Sequence, residues 1–105
     1  MPDADRTPRV AIADDDALLR QGLAALLREV GYDVVGEAND GEELLELVRS
    51  EQPDVAIVDI RMPPSHTTEG LEAAQTIRQE LPRTAILVLS AHIEVEHAMD
   101  LLGAG

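Results

Sequence analysis

The chain has 105 residues, 45% of them apolar, which is enough for one domain burying roughly 65% of its unfolded surface. Its charge is lopsided, 21 acidic against 8 basic residues for a net −13, with every basic residue an arginine. A field of that sign argues against contact between this segment and nucleic-acid backbones and suits a cation or a basic partner surface.

Other classes fall away on composition. There is no cysteine, so neither a disulfide framework nor a thiolate metal site is available. The longest apolar runs, such as AILVL (85–89), are too short to span a membrane. The amino-terminal MPDADRTPR has no apolar secretory region, so residues 1–8 are expected to be a disordered tail and the protein cytoplasmic. With no Phe or Trp, and Tyr32 the only aromatic, any core must be aliphatic.

In chain order, RVAIA (9–13) reads as a strand. Residues 15–30 read as a helix with apolar Leu18, Leu19, Leu23, Leu26, Leu27 and Val30, stopped by Gly31. DVVGEA (33–38) is a second strand. NDGEELLELVRS then opens a helix with Asp40 and Glu43 spaced as a capping box. DVAIVD (54–59), apolar on both faces, fits a buried parallel strand. A loop with Pro63 and Pro64 leads to a helix near 69–80, TAILVLS (84–90) is a fourth strand, and 93–102 look helical.

Strands alternating with helices imply a (βα)4 unit: a parallel sheet with right-handed crossovers and helices on both faces. Ligand sites in such open sheets lie at the carboxyl ends of the strands. Those ends carry Asp14 and Asp15 after the first strand, Asp59 after the third and Ser90 after the fourth, with Glu37 near the second. The run Asp14-Asp15-Asp16 gathers like charges that repel. A hard divalent cation relieves the repulsion, and Mg²⁺ takes one or two protein carboxylates while leaving room for phosphate oxygens. Asp14, Asp15 and Asp59 are therefore candidate Mg²⁺ ligands. Asp59, on a rigid stem, is a candidate nucleophile that could form an acyl phosphate, with the Ser90 hydroxyl donating to the new phosphate oxygens. Asp16 is read as a helix-start residue.

The segments VAIADDDALLRQGLAALL, PDVAIVDIRMPP, EGLEAAQTIR, AILVLSAH and LLGAG, in this order over nearly all of 9–105, resemble the receiver domain of bacterial two-component response regulators. The stretch DIRMPPSHTTEGLEAA resembles the variety that precedes a LuxR-type helix-turn-helix output domain. The resemblance implies a doubly wound, flavodoxin-like α/β fold with strand order 2-1-3-4 and a histidine kinase as phosphodonor. It also implies Asp59 as phosphoacceptor, Asp14 and Asp15 as the metal pair, the Arg61 carbonyl as a further metal ligand and Ser90 as the hydroxyl switch position. DNA binding would belong to an output domain outside this segment. The family's fifth strand carries a lysine that pairs with the phosphoryl group, preceded by an aromatic switch residue. The chain ends at Gly105, before both, so it is expected to lack the fifth strand and helix, to switch poorly, and to pair or aggregate through the open edge of residues 84–90.

Competing readings are weaker. His92 and His97 are five apart, and HIEVEH is not the zinc motif HExxH; His66 reads as a loop residue. NDG (39–41) fails as a calcium loop, because Gly36 and Leu47 would be its end ligands. A haloacid-dehalogenase-type phosphatase wants a second aspartate two residues after the nucleophile, where Arg61 stands. A receiver fold used without phosphorylation, for interaction or dimerisation, is the principal alternative.

Overall fold

The computed structural model describes residues 7–60 and 69–89. The elements run β1 (Arg9–Ala13), α1 (Ala17–Glu29), β2 (Asp33–Ala38), α2 (Gly41–Glu51), β3 (Val55–Asp59), α3 (Glu69–Glu80) and β4 (Ala85–Leu89). All strand pairs are parallel and the sheet order is β2-β1-β3-β4, the order implied by the family resemblance. Among the described residues β4 pairs with β3 alone, and Leu87, Val88 and Leu89 are exposed. No helix there is long and apolar enough to cross a membrane. The amino-terminal residues 1–6 and the expected helix at 93–102 lie outside the described residues.

Strand alternation divides the aliphatic core into two layers. Ala11, Ala13, Ala56 and Val58 face α2 and α3 and pack with Leu44, Val48, Ala73 and Ile77. Val10, Ile12 and Ile57 face α1 and pack with Ala24, flanked by Leu23 and Leu27. Three alanines on the first face let the helices approach closely, so no aromatic is needed to fill the space. Residues Ala56 to Asp59 are all buried, as a strand apolar on both faces requires. Ile77 is fully buried, so Ile77→Ala should cost about 2–5 kcal/mol, read as a lower urea midpoint at unchanged slope.

Local signals account for the helix ends. Asp16 caps α1 by accepting from the Leu19 amide at 3.1 Å. At the other end Gly31, at φ 105°, allows its own amide to donate to the Arg28 carbonyl (3.1 Å) and the Tyr32 amide to the Leu27 carbonyl (2.9 Å). Asp40 caps α2 through the Glu43 amide at 2.8 Å. The expected capping box is modified, because Glu43 turns back one residue further. Its carboxylate accepts from both the backbone and side-chain nitrogens of Asn39, each at 3.2 Å.

The apolar face expected of α1 is only partly used. Leu23 and Leu27 pack on the sheet, but Leu18 is 83%, Val30 63% and Leu26 55% exposed, and Leu19 is exposed too. A single straight helix touches a sheet along one narrow stripe, here positions 20, 23, 24 and 27. The stripe begins with a charged residue, Arg20, which is buried.

Candidate functional site

The site grows from the ends of β1 and β3. Ala13 pairs with Val58, so one residue further along each strand brings Asp14 level with Asp59. The Asp14 amide donates to the Ala38 carbonyl at 3.1 Å, extending the β1–β2 ladder by one bond. Its Oδ1 accepts from the Asp16 amide at 2.9 Å, the side-chain turn by which aspartate reverses a chain. Asp16 then starts α1, and Asp15 sits exposed at the apex between them. Asp16 is thus the cap that its position suggested, while its two predecessors face the strand ends.

Asp59 is the last residue of β3 and 3% exposed. Its stem is held from both sides: the Ile60 amide donates to the Leu89 carbonyl (3.1 Å), and the Ile60 carbonyl accepts from the Gly70 amide (2.9 Å). Gly70 packs so closely that an added Cβ would lie 1.7 Å from the Asp59 carbonyl oxygen. The start of α3 therefore rests directly on the backbone of the candidate nucleophile, which only glycine permits.

One carboxylate oxygen from each of Asp14, Asp15 and Asp59 lies within 4.8 Å of the other two, with Asp14 and Asp59 buried and Asp15 exposed. If all three are ionised, such spacing costs about 3–4 kcal/mol per pair at an effective dielectric constant of ~20. Oxygen ligands on opposite sides of Mg²⁺ are about 4.2 Å apart, twice its usual bond length. No two oxygens on one Mg²⁺ can be further apart than that, so small side-chain rotations from the observed spacing would let all three share an ion, and an all-carboxylate set suits a hard ion rather than zinc. The residues present fit Mg²⁺. Asp15→Ala is therefore expected to weaken Mg²⁺ binding by at least about tenfold, since one of few charged ligands is lost; unchanged affinity by calorimetric titration would remove Asp15 from the site.

The structure thus brings together Asp14, Asp15 and Asp59 as the strand-end reading expected. Arg61, Ser90 and the histidines at 66, 92 and 97 lie outside the described residues. Two residues near the site were not singled out from sequence. Arg20 carried a signal, a charge at an apolar-stripe position of α1. Gly70 carried another, a glycine inside a helical pattern, which often marks close backbone approach.

Comparison with known proteins agrees with this geometry. Residues 10–105 match the family described as the response regulator receiver domain. The chain is 42% identical over 100 residues to the transcriptional regulatory protein PdtaR of Mycobacterium tuberculosis, covering 93% of this chain and 47% of that protein. It is 44% identical over 88 residues to the probable transcriptional regulatory protein NarL of the same organism, covering 82% of this chain and 39% of NarL. The chain therefore spans less than half the length of these relatives. Among solved structures, the signal receiver domain of M. tuberculosis NarL superposes with a TM-score of 0.75 at 38% identity, over 95% of this chain and 79% of that one. A LuxR-family response regulator from Aurantimonas sp. SI85-9A1 gives a TM-score of 0.74 at 34% identity, over 95% and 70%. Strand order, acidic cluster and family match converge, and the chain belongs to the response regulator receiver domains of two-component systems.

Proposed function

We propose that this chain, in the cytoplasm, is a phosphorylation-controlled switch in which Asp59 accepts a phosphoryl group from the phosphohistidine of a kinase. The observation that carries this reading is the convergence of Asp14, Asp15 and Asp59 at the carboxyl ends of β1 and β3. In the step, an Asp59 carboxylate oxygen forms a bond to phosphorus. The phosphorus–nitrogen bond breaks, and its electron pair stays on the imidazole. Mg²⁺, held by Asp14, Asp15 and Asp59, would neutralise charge on the transferring oxygens.

The chain's own residues supply position. Asp59 is fixed on a buried strand whose next residue is bonded to both β4 and α3, so its carboxylate stays in line while the donor approaches. By family resemblance, the Arg61 carbonyl adds a metal ligand and the Ser90 hydroxyl donates to the phosphoryl oxygens. PdtaR and NarL are named as transcriptional regulators, which supports a longer protein that acts on transcription through a DNA-binding output domain. Residues 9–105 form its receiver unit in this reading.

Acetyl phosphate, with and without Mg²⁺, tests the proposal. One phosphoryl group should be incorporated per chain, only with Mg²⁺, and should map by mass spectrometry to the peptide containing Asp59. Absence of incorporation at saturating donor and Mg²⁺ would favour the alternative of an interaction module that works without phosphorylation.

A further inference from the structure

Arg20 is 8% exposed, an arginine on the sheet-facing stripe of α1 where Leu23, Ala24 and Leu27 continue the apolar row. A guanidinium loses much hydration on burial, and the burial is tolerated only where its donors are satisfied. Here they are. Nη1 donates to the Asp14 carbonyl (2.7 Å) and to Asn39 Oδ1 (2.8 Å), and Nε donates to Glu37 Oε1 (3.0 Å). The backbone amide of Arg20 donates to the Asp16 carbonyl at 2.9 Å. One residue thus joins the end of β1, the end of β2 and the start of the β2–α2 connection.

The effect falls on Asp15. The peptide before it is held through the Asp14 carbonyl by the Arg20 guanidinium. The peptide after it is held through the Asp16 amide by the Asp14 carboxylate. With both flanking peptides fixed, the direction of the Asp15 Cα–Cβ bond is set as well. Asp15 is the exposed member of the acidic trio. The two held peptides therefore bear on where its carboxylate points.

We propose that Arg20 is a positioning residue of the acidic pocket. By clamping the Asp14 carbonyl to Glu37 and Asn39 it aims the Asp15 carboxylate at the cation. The inference rests on the reading of the trio as a Mg²⁺ site. It runs against simple electrostatics, which makes it testable by sign. Removing a positive charge close to a cation site should tighten Mg²⁺ binding by Coulomb attraction alone. Loss of positioning should loosen it, by the roughly 10–100-fold typical of groups that orient metal ligands.

The experiment is calorimetric titration of the chain with Mg²⁺ alone, comparing the parent with Arg20→Gln and Arg20→Lys. Both variants should bind at least about tenfold more weakly, because neither side chain reproduces the forked set of donors. Ile77→Ala, which lowers stability from the other core layer, should keep the parent affinity. Equal or tighter binding by Arg20→Gln, unchanged binding by Arg20→Lys, or an equal loss in Ile77→Ala would overturn the proposal. A parent chain that binds no Mg²⁺ would instead overturn the metal site itself. Should both Arg20 variants fail to fold, Asn39→Ala decides the matter. Asn39 is exposed and uncharged, and its removal takes one anchor from the guanidinium. A smaller loss of Mg²⁺ affinity supports the clamp, and an unchanged affinity overturns it.

Discussion

Asp59→Asn is expected to reduce phosphoryl incorporation from acetyl phosphate to background while leaving the fold in place. The amide is nearly the same shape as the carboxylate, so β3 and its buried neighbours need not move. What disappears is the anionic oxygen proposed to form the bond to phosphorus. A neutral amide oxygen is a far weaker nucleophile, and the product would no longer be an acyl phosphate. Mg²⁺ affinity should fall as well, because one of the three carboxylates proposed to hold the ion is lost. Far-UV circular dichroism should match the parent, and mass spectrometry after donor treatment should show no added group. Undiminished labelling, relocated to Asp14 or Asp15, would sink the assignment of Asp59 as the acceptor.

Gly70→Ala should be nearly as damaging, by a different route. The new Cβ would lie 1.7 Å from the Asp59 carbonyl oxygen, 2.7 Å from its carbonyl carbon and 2.8 Å from the Ile60 Cα. All three are backbone atoms, so no side chain can rotate out of the way. Either the start of α3 lifts or the end of β3 shifts. Overpacking typically costs 1–3 kcal/mol, and so close an approach should reach at least the upper part of that range, about 3 kcal/mol. Intrinsic helix propensity pulls the other way, favouring alanine over glycine by about 1 kcal/mol. The sign of the change is therefore diagnostic. Gly22, inside α1 with nothing within 4 Å of an added Cβ, provides the control, and Gly22→Ala should raise the urea midpoint. Gly70→Ala should lower it, and should slow Mg²⁺-dependent labelling in the fraction that remains folded. A midpoint raised by Gly70→Ala would show that the close approach is relieved at little cost.

Much of the fold is legible in the sequence, because it rests on local rules. Strands β1 (Arg9–Ala13) and β2 (Asp33–Ala38) match the expected bounds, and β3 (Val55–Asp59) begins one residue later than expected. Their runs of Val, Ile and Ala end at aspartate or at a turn, and β1 and β3 are buried on both faces from their second residue onward. The caps of α1 and α2 follow from Asp16, Gly31 and Asp40, each able to satisfy or release backbone groups by its own chemistry. The meeting of Asp14 with Asp59 was inferable from their place after β1 and β3 once those strands were taken as neighbours, since parallel strands in register bring equivalent ends together.

Only the tertiary structure decided the rest. Periodicity marked six apolar positions on α1 but could not say which of them touch the sheet. The crossing of the helix packs Leu23 and Leu27, partly buried, against the sheet and leaves Leu18 and Val30 in solvent. The same crossing carries Arg20 inward, where partners from β1, β2 and the following connection make its charge tolerable; those partners lie up to 19 residues away, beyond the reach of any local pattern. Glu43, spaced for a capping box, bonds to Asn39 instead, and Asn39 in turn holds Arg20. By helix propensity alone Gly70 would only weaken α3, but the strand beneath it leaves a side chain there no room. Sequence by itself determined which residues could form each element and which carboxylates could share an ion, because hydrophobic period, capping and charge are properties of neighbours along the chain. Which buried charge is compensated, and how closely two backbones approach, depend on distances between segments, and these exist only once the chain has folded.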